Sequence, residues 1–141
     1  MHAEVADHHD VSRIEERLDI IREYGASGAV ATHRPGLTIP WVERENLPID
    51  AILAPVNKLG YAMEPDFTTS IQAIEDCTRR IVAIKPLAAG RLPPDEAFRF
   101  VYRYAESAAV GVTSEEEMKQ TYEAALKEYE KVYKGADHKE T

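Results

Sequence analysis

With a single cysteine, Cys77, the chain has no partner for an internal disulfide. A lone thiol fits a reducing compartment, so a cytoplasmic setting is expected. No run approaches the roughly 18 apolar residues that a membrane-spanning helix needs. Positive charge is short as well: 17 Lys and Arg against 25 Asp and Glu leave a formal charge of −8. That balance argues against nucleic acid or an anionic membrane as a partner. Met1-His2-Ala3-Glu4 carries neither a basic region nor an apolar stretch, so no secretory leader is expected there. Gly/Ser-rich linkers, low-complexity tracts and internal repeats are absent too. What is present is ordinary globular material: 141 residues, 44% hydrophobic, enough for one domain with its own core. That domain is expected over residues 12–134, after an N-terminal segment 1–11 and before a disordered tail 135–141.

Four short runs of small and β-branched residues recur: Gly28-Ala29-Val30-Ala31-Thr32, Ile49-Asp50-Ala51-Ile52-Leu53-Ala54, Ile81-Val82-Ala83-Ile84 and Ala108-Ala109-Val110-Gly111-Val112. None alternates cleanly with polar residues, the pattern of strands covered on both faces in a parallel sheet. Amphipathic segments of helical length separate them. The first is expected over 12–24, with Ser12-x-x-Glu15 as a capping box and Gly25 as its stop. Others are expected over 38–45, over 67–77, from Pro94 with Ala97, Phe98, Val101 and Tyr102 as its stripe, and from Ser114 to about Tyr133. Cys77 closes one of these runs, where a small buried hydrophobe is expected. The spacing between strands, roughly 25–30 residues, is that of a βα unit. The fold expected is α/β: a half (β/α) barrel of four parallel strands preceded by one helix. A complete barrel needs about 250 residues. Two copies pairing edges would close one, so a homo-oligomer is expected.

Function in parallel α/β proteins gathers at the C-terminal ends of the strands. Those ends carry His33 and Arg34, Asn57 and Lys58, Lys85 with Arg91 in its loop, and Thr113 with Ser114. The opposite connections are bland. Stepping back by two from each end residue gives Ala31 and Ala29, Pro55 and Leu53, Ala83 and Ile81, Gly111 and Ala109. Alternation therefore predicts that His33, Asn57, Lys85 and Thr113 face the barrel interior, while Val30, Ile52, Val82, Ile84, Val110 and Val112 pack under helices. An inward lysine needs an anion or carbonyl partner. Lys85 and His33 are thus candidate catalytic residues, with Asn57, Lys58, Arg34, Arg91 and Thr113 as candidate ligand contacts for a small molecule. The stretch from His2 to Asp10 holds donors suited to zinc, yet its spacing matches no metal motif, and no metal site is expected. If His2 ends a preceding strand, it joins the same mouth.

Ile81-Val82-Ala83-Ile84-Lys85-Pro86-Leu87-Ala88-Ala89-Gly90-Arg91-Leu92 resembles the seventh strand and following turn of aldo/keto reductases. Ala109-Val110-Gly111-Val112-Thr113-Ser114, followed by Glu115-Glu116-Glu117-Met118, resembles their eighth strand and helix start. The resemblance implies the C-terminal half of that barrel and gives His2 the place of the substrate-orienting histidine. It also implies that the catalytic tyrosine, lysine and aspartate belong to the other half. NADP is the cofactor implied, but three glutamates stand where that family grips the nucleotide phosphate with basic residues. The expectation is a ligand site without autonomous reductase chemistry; the alternative is a non-catalytic half-barrel whose role is assembly.

Overall fold

The computed structural model describes residues 6–134. His2, Glu4 and the tail expected over 135–141 lie outside the described residues. Five α-helices and four strands alternate: α1 (Val11–Glu23), β1 (Ala29–Ala31), α2 (Pro35–Arg44), β2 (Ala51–Pro55), α3 (Phe67–Glu75), β3 (Arg80–Ile84), α4 (Pro94–Val101), β4 (Ser107–Ala109) and α5 (Glu115–Tyr129), which runs on into a π-turn, Glu130–Lys134. The strands form one sheet in the order β1-β2-β3-β4, every pair parallel. This is an α/β half barrel, as the sequence pattern predicts. No helix among the described residues is long and apolar enough to cross a membrane.

Local chemistry sets the helix ends. Asp10 caps α1 by accepting from the Arg13 N–H at 3.1 Å, so the expected Ser12 box gives way to a better acceptor two residues earlier. Asp66 caps α3 in the same way, at 2.8 Å from the Thr69 N–H. Pro35 and Pro94 enter α2 and α4 where a missing N–H has no consequence. Ser114 caps α5 through the Glu117 N–H at 3.1 Å, as expected. The Glu117 carboxylate, however, reaches the Thr113 N–H at 2.7 Å.

The register defines two faces. Val30, Ile52 and Ile81 are partners across three strands, and Ala54 and Ala83 across two; all are buried beneath the helices. The concave side carries Ala31, Leu53 and Val82 in one row and Pro55, Ile84 and Ala109 in the next. Alternation is therefore right for β1 and β2 and inverted for β3; in β4, which ends at Ala109, it is right for that residue, but Val112, expected beneath a helix, lies beyond the strand and is 41% exposed. Ile81 and Ala83 face the helices, while Val82 and Ile84 face the concavity, because the register sets them against Ile52, Ala54, Leu53 and Pro55 respectively. The helix-side core is fully buried at Phe98, Ile14, Leu18, Ile39 and Ile52. Gly28 allows α1 to lie close over the start of β1: an added Cβ would collide with Leu18 Cδ2.

Candidate functional site

Lys85 has φ +53°, a left-handed backbone that non-glycine residues rarely adopt. Strict alternation after Ile84 would send Lys85 to the helix side; the left-handed turn redirects it. Its Nζ reaches His33 Nδ1 at 3.3 Å, across the tops of β1 and β3, although 52 residues separate them in sequence. An ammonium can only donate, so Nδ1 accepts and Nε2 carries the ring proton when both groups hold this contact. Ala88 and Ala89, at φ +49° and +57°, continue the unusual backbone through the same loop. Non-glycine residues in this region cost about 1–2 kcal/mol each and cluster at functional sites.

Asn57 lies directly beneath, fully buried. Its amide donates to the Tyr61 carbonyl at 2.9 Å and the Lys85 carbonyl at 3.2 Å, and its Oδ1 accepts from the Tyr61 N–H at 2.8 Å. Both of its donors are spent on backbone. The expected ligand contact is therefore corrected: Asn57 ties the β2–α3 loop to the end of β3. Tyr61, which sequence reasoning missed, stands where that tie puts it. Lys85 Nζ lies 5.9 Å from the ring centroid and the Arg91 guanidinium 4.7 Å from it, both within cation–π range. Tyr61, Lys85, Leu87, Val110, Thr113 and Glu117 help line a cleft of about 460 Å³, a size suited to a small metabolite.

The remaining rim charges are largely compensated. Arg34 pairs with Glu64 at 3.4 Å, and Lys58 with Glu96 at 2.5 Å. The rim is therefore less positive than its basic residues alone suggest, and Lys85 and Arg91 are the rim cations without an ion-pair partner among the described residues. Thr113 gives both its N–H and its hydroxyl to the Glu117 carboxylate, each at 2.7 Å. Those bonds, with the Thr113 backbone bond the stronger influence after the hydroxyl's, hold Glu117 below the usual carboxylate range.

A second unexpected member is Asp7. Its carboxylate accepts from the buried Thr32 hydroxyl, from the His33 N–H at 2.9 Å and from the buried Thr38 hydroxyl at 2.8 Å. Asp7 thus anchors the segment before α1 to the β1–α2 turn and fixes the backbone that carries the His33 ring. The only hint in the sequence is two threonines, Thr32 and Thr38, flanking a turn with no partner of their own. His9 stacks on Trp41 at 4.5 Å and lies 3.5 Å from the Thr38 hydroxyl. Burial against that ring, helped by the charge of Arg34, lowers its pKa against the opposing pull of Asp7. Among the described residues, no three His, Cys, Asp or Glu side chains are placed to hold a metal ion. Replacing Asp7 with Ala leaves two buried hydroxyls and one N–H without their acceptor; a loss of about 3 kcal/mol in urea unfolding is expected.

Cys77 departs from its expected place. It follows the end of α3, is half-buried, and its Sγ donates to the Glu43 carboxylate at 3.4 Å. Burial, reinforced by that carboxylate, pushes its pKa up to about 11. An unreactive thiol follows.

Fold and site together define a parallel α/β half barrel with a His–Lys pair at its mouth. No family model matches the chain, and neither does any curated protein or solved structure.

Proposed function

We propose that the mouth binds a small anionic or carbonyl compound, with Lys85 as the cation that meets its oxygen and His33 as the group that moves a proton. The observation that carries this is the 3.3 Å approach of Lys85 Nζ to His33 Nδ1 beside a cleft that Lys85 and Tyr61 help line, with Arg91 held against the Tyr61 ring. A ligand oxygen at this point would accept from Lys85, and the His33 ring, released from that bond, would be free to exchange a proton with it. Arg91, held against the Tyr61 face, supplies a second cation for a carboxylate or phosphate. The residues 81–118 resemble the closing units of an aldo/keto reductase barrel, and we read this as ancestry. The residues after β4 do not fit a nucleotide phosphate: Thr113 is committed to Glu117, and Glu115 and Glu116 occupy the first turn of α5. The proposed chemistry therefore runs without NADP.

Isothermal titration with malonate, a short 2-oxo acid and inorganic phosphate tests this. At least one of the three is expected to bind, with Lys85→Met weakening it about tenfold or more, the loss of one charge-assisted contact. His33→Gln should preserve most of the affinity and alter its pH dependence. Equal binding by the wild type and Lys85→Met, or silence from all three probes, would remove the proposal. Oxidation of NADPH with an aldehyde panel would overturn its cofactor-free part.

A further inference from the structure

We infer that the cleft where β3 and β4 begin is a second ligand site, suited to a small zwitterion with one carboxylate and one ammonium, an α-amino acid with an aromatic side chain. It lies at the end of the sheet opposite Lys85 and His33, where the connections read as bland in the sequence. The α3–β3 turn, the α4–β4 connection and Tyr129 at the end of α5 border about 880 Å³ there, within the size range of small-molecule sites. Two arginines and two glutamates line this space without satisfying one another. Arg80 opens β3 and Arg103 follows α4, while Glu75 ends α3 and Glu106 precedes β4. All four are exposed, and none has a side-chain hydrogen bond or an ion pair among the described residues. A ligand bearing both signs would bridge them. A guanidinium meets a carboxylate through two parallel N–H donors, and a glutamate meets an ammonium. An anion alone would gain the arginines but meet the glutamates' repulsion, and a cation alone the reverse.

Arg79, in the wall of the same cleft, gives an independent sign. Its two Nη groups donate to the Glu43 carboxylate and the Leu47 carbonyl. Its Nε is buried without a hydrogen-bond partner, the one such side-chain nitrogen or oxygen among the described residues. Buried donors are nearly always satisfied, so an acceptor reaching it from the cleft would complete its set. The aromatic part of the ligand is argued from the rest of the wall. Tyr104 and Tyr129 both line the space, and each ring is held by a neighbour: Tyr104 by Phe100 at 5.1 Å and Tyr129 by Tyr102 at 5.6 Å between ring centres. Rings fixed in this way can pack on an aryl group with little ordering left to do.

Backbone-amide NMR of the full chain tests this with three probes that share one ring: L-phenylalanine, 3-phenylpropionate, which lacks the ammonium, and 2-phenylethylamine, which lacks the carboxylate. Phenylalanine should shift the amides of residues 78–80 and 103–107. It should bind about tenfold or more tightly than either relative, the loss of one charge-assisted contact. Arg80→Gln with Arg103→Gln should weaken phenylalanine by a like factor without weakening 2-phenylethylamine. Glu75→Gln with Glu106→Gln should weaken phenylalanine without weakening 3-phenylpropionate. These four side chains are exposed, so both double variants should keep a urea midpoint close to the wild type's. Absence of shifts up to about 10 mM phenylalanine, shifts confined to other residues, or either relative binding as tightly as phenylalanine would overturn the inference. Lys85→Met should leave the phenylalanine shifts unchanged. Their loss in that variant would assign them to the mouth and overturn the second site, so the two binding tests fail separately.

Discussion

Replacing Asn57 with Ala is expected to lower unfolding free energy by about 3–4 kcal/mol, a large share of what holds a domain of this size together. The side chain is fully buried and makes three hydrogen bonds, all to backbone. Its loss leaves the Tyr61 N–H and the Tyr61 and Lys85 carbonyls facing a cavity, each with a desolvation cost of its own. Urea unfolding at neutral pH measures it. A loss under about 1 kcal/mol would mean that the tie contributes only an ordinary hydrogen bond. The substitution should also loosen the cleft, since the same amide joins the loop bearing Tyr61 to the carbonyl of Lys85. Lys85→Met makes the useful contrast. Lys85 is only half-buried and, among the described residues, holds no other side-chain hydrogen bond, so its loss should alter binding with little effect on stability.

Much of the architecture was legible because parallel strands covered on both faces leave a strong apolar signature, and because proline and serine mark helix starts cheaply. The positions of His33 and Lys85 followed from strand ends alone. The route to their meeting did not. Alternation places Lys85 above Ile81 and Ala83, but the register pairs those two with Ile52 and Ala54 and so turns that row toward the helices. What restores the meeting is a left-handed φ at Lys85, a conformation that the residue's identity does not announce. Asn57 shows the complementary limit. An asparagine at a strand end reads equally well as a ligand contact or a loop clamp, and only the positions of Tyr61 and Lys85 decide. Asp7 was hidden differently, in a run of His and Asp whose composition suggests metal chemistry. Its real partners are two hydroxyls and an N–H from 25 or more residues away. Long-range pairing of this sort has no local pattern to detect.

Glu43 shows the same property at the opposite end of the sheet, and its replacement by Gln is expected to cost about 3 kcal/mol at neutral pH. From the last turn of α2 its carboxylate accepts from the Thr78 N–H at 2.9 Å and from the Arg79 guanidinium at 2.5 Å, with the Thr78 hydroxyl between. Arg79, 12% exposed, also donates to the Leu47 carbonyl at 2.9 Å. These bonds fasten α2 to the connection that starts β3. Burial alone would raise the Glu43 pKa, but Arg79 and the Thr78 donors outweigh it and bring it from 4.5 down to about 2. A carboxyl whose folded pKa lies below its unfolded one stabilises the fold fully above the unfolded value and loses that contribution as pH falls through the folded one. The displacement corresponds to roughly 3 kcal/mol above pH 4.5, of which about half remains at pH 3. Glu117, Glu128 and Asp66 are lowered in the same direction, so the wild-type acid transition is not theirs or Glu43's alone. The difference between wild type and Glu43→Gln isolates it. Urea midpoints measured for both at pH 7 and pH 3 should converge on acidification, because Gln cannot be protonated and leaves Arg79 uncompensated at either pH. A gap that stays constant between those two pH values would show that the Glu43–Arg79 bond stabilises by packing rather than by charge.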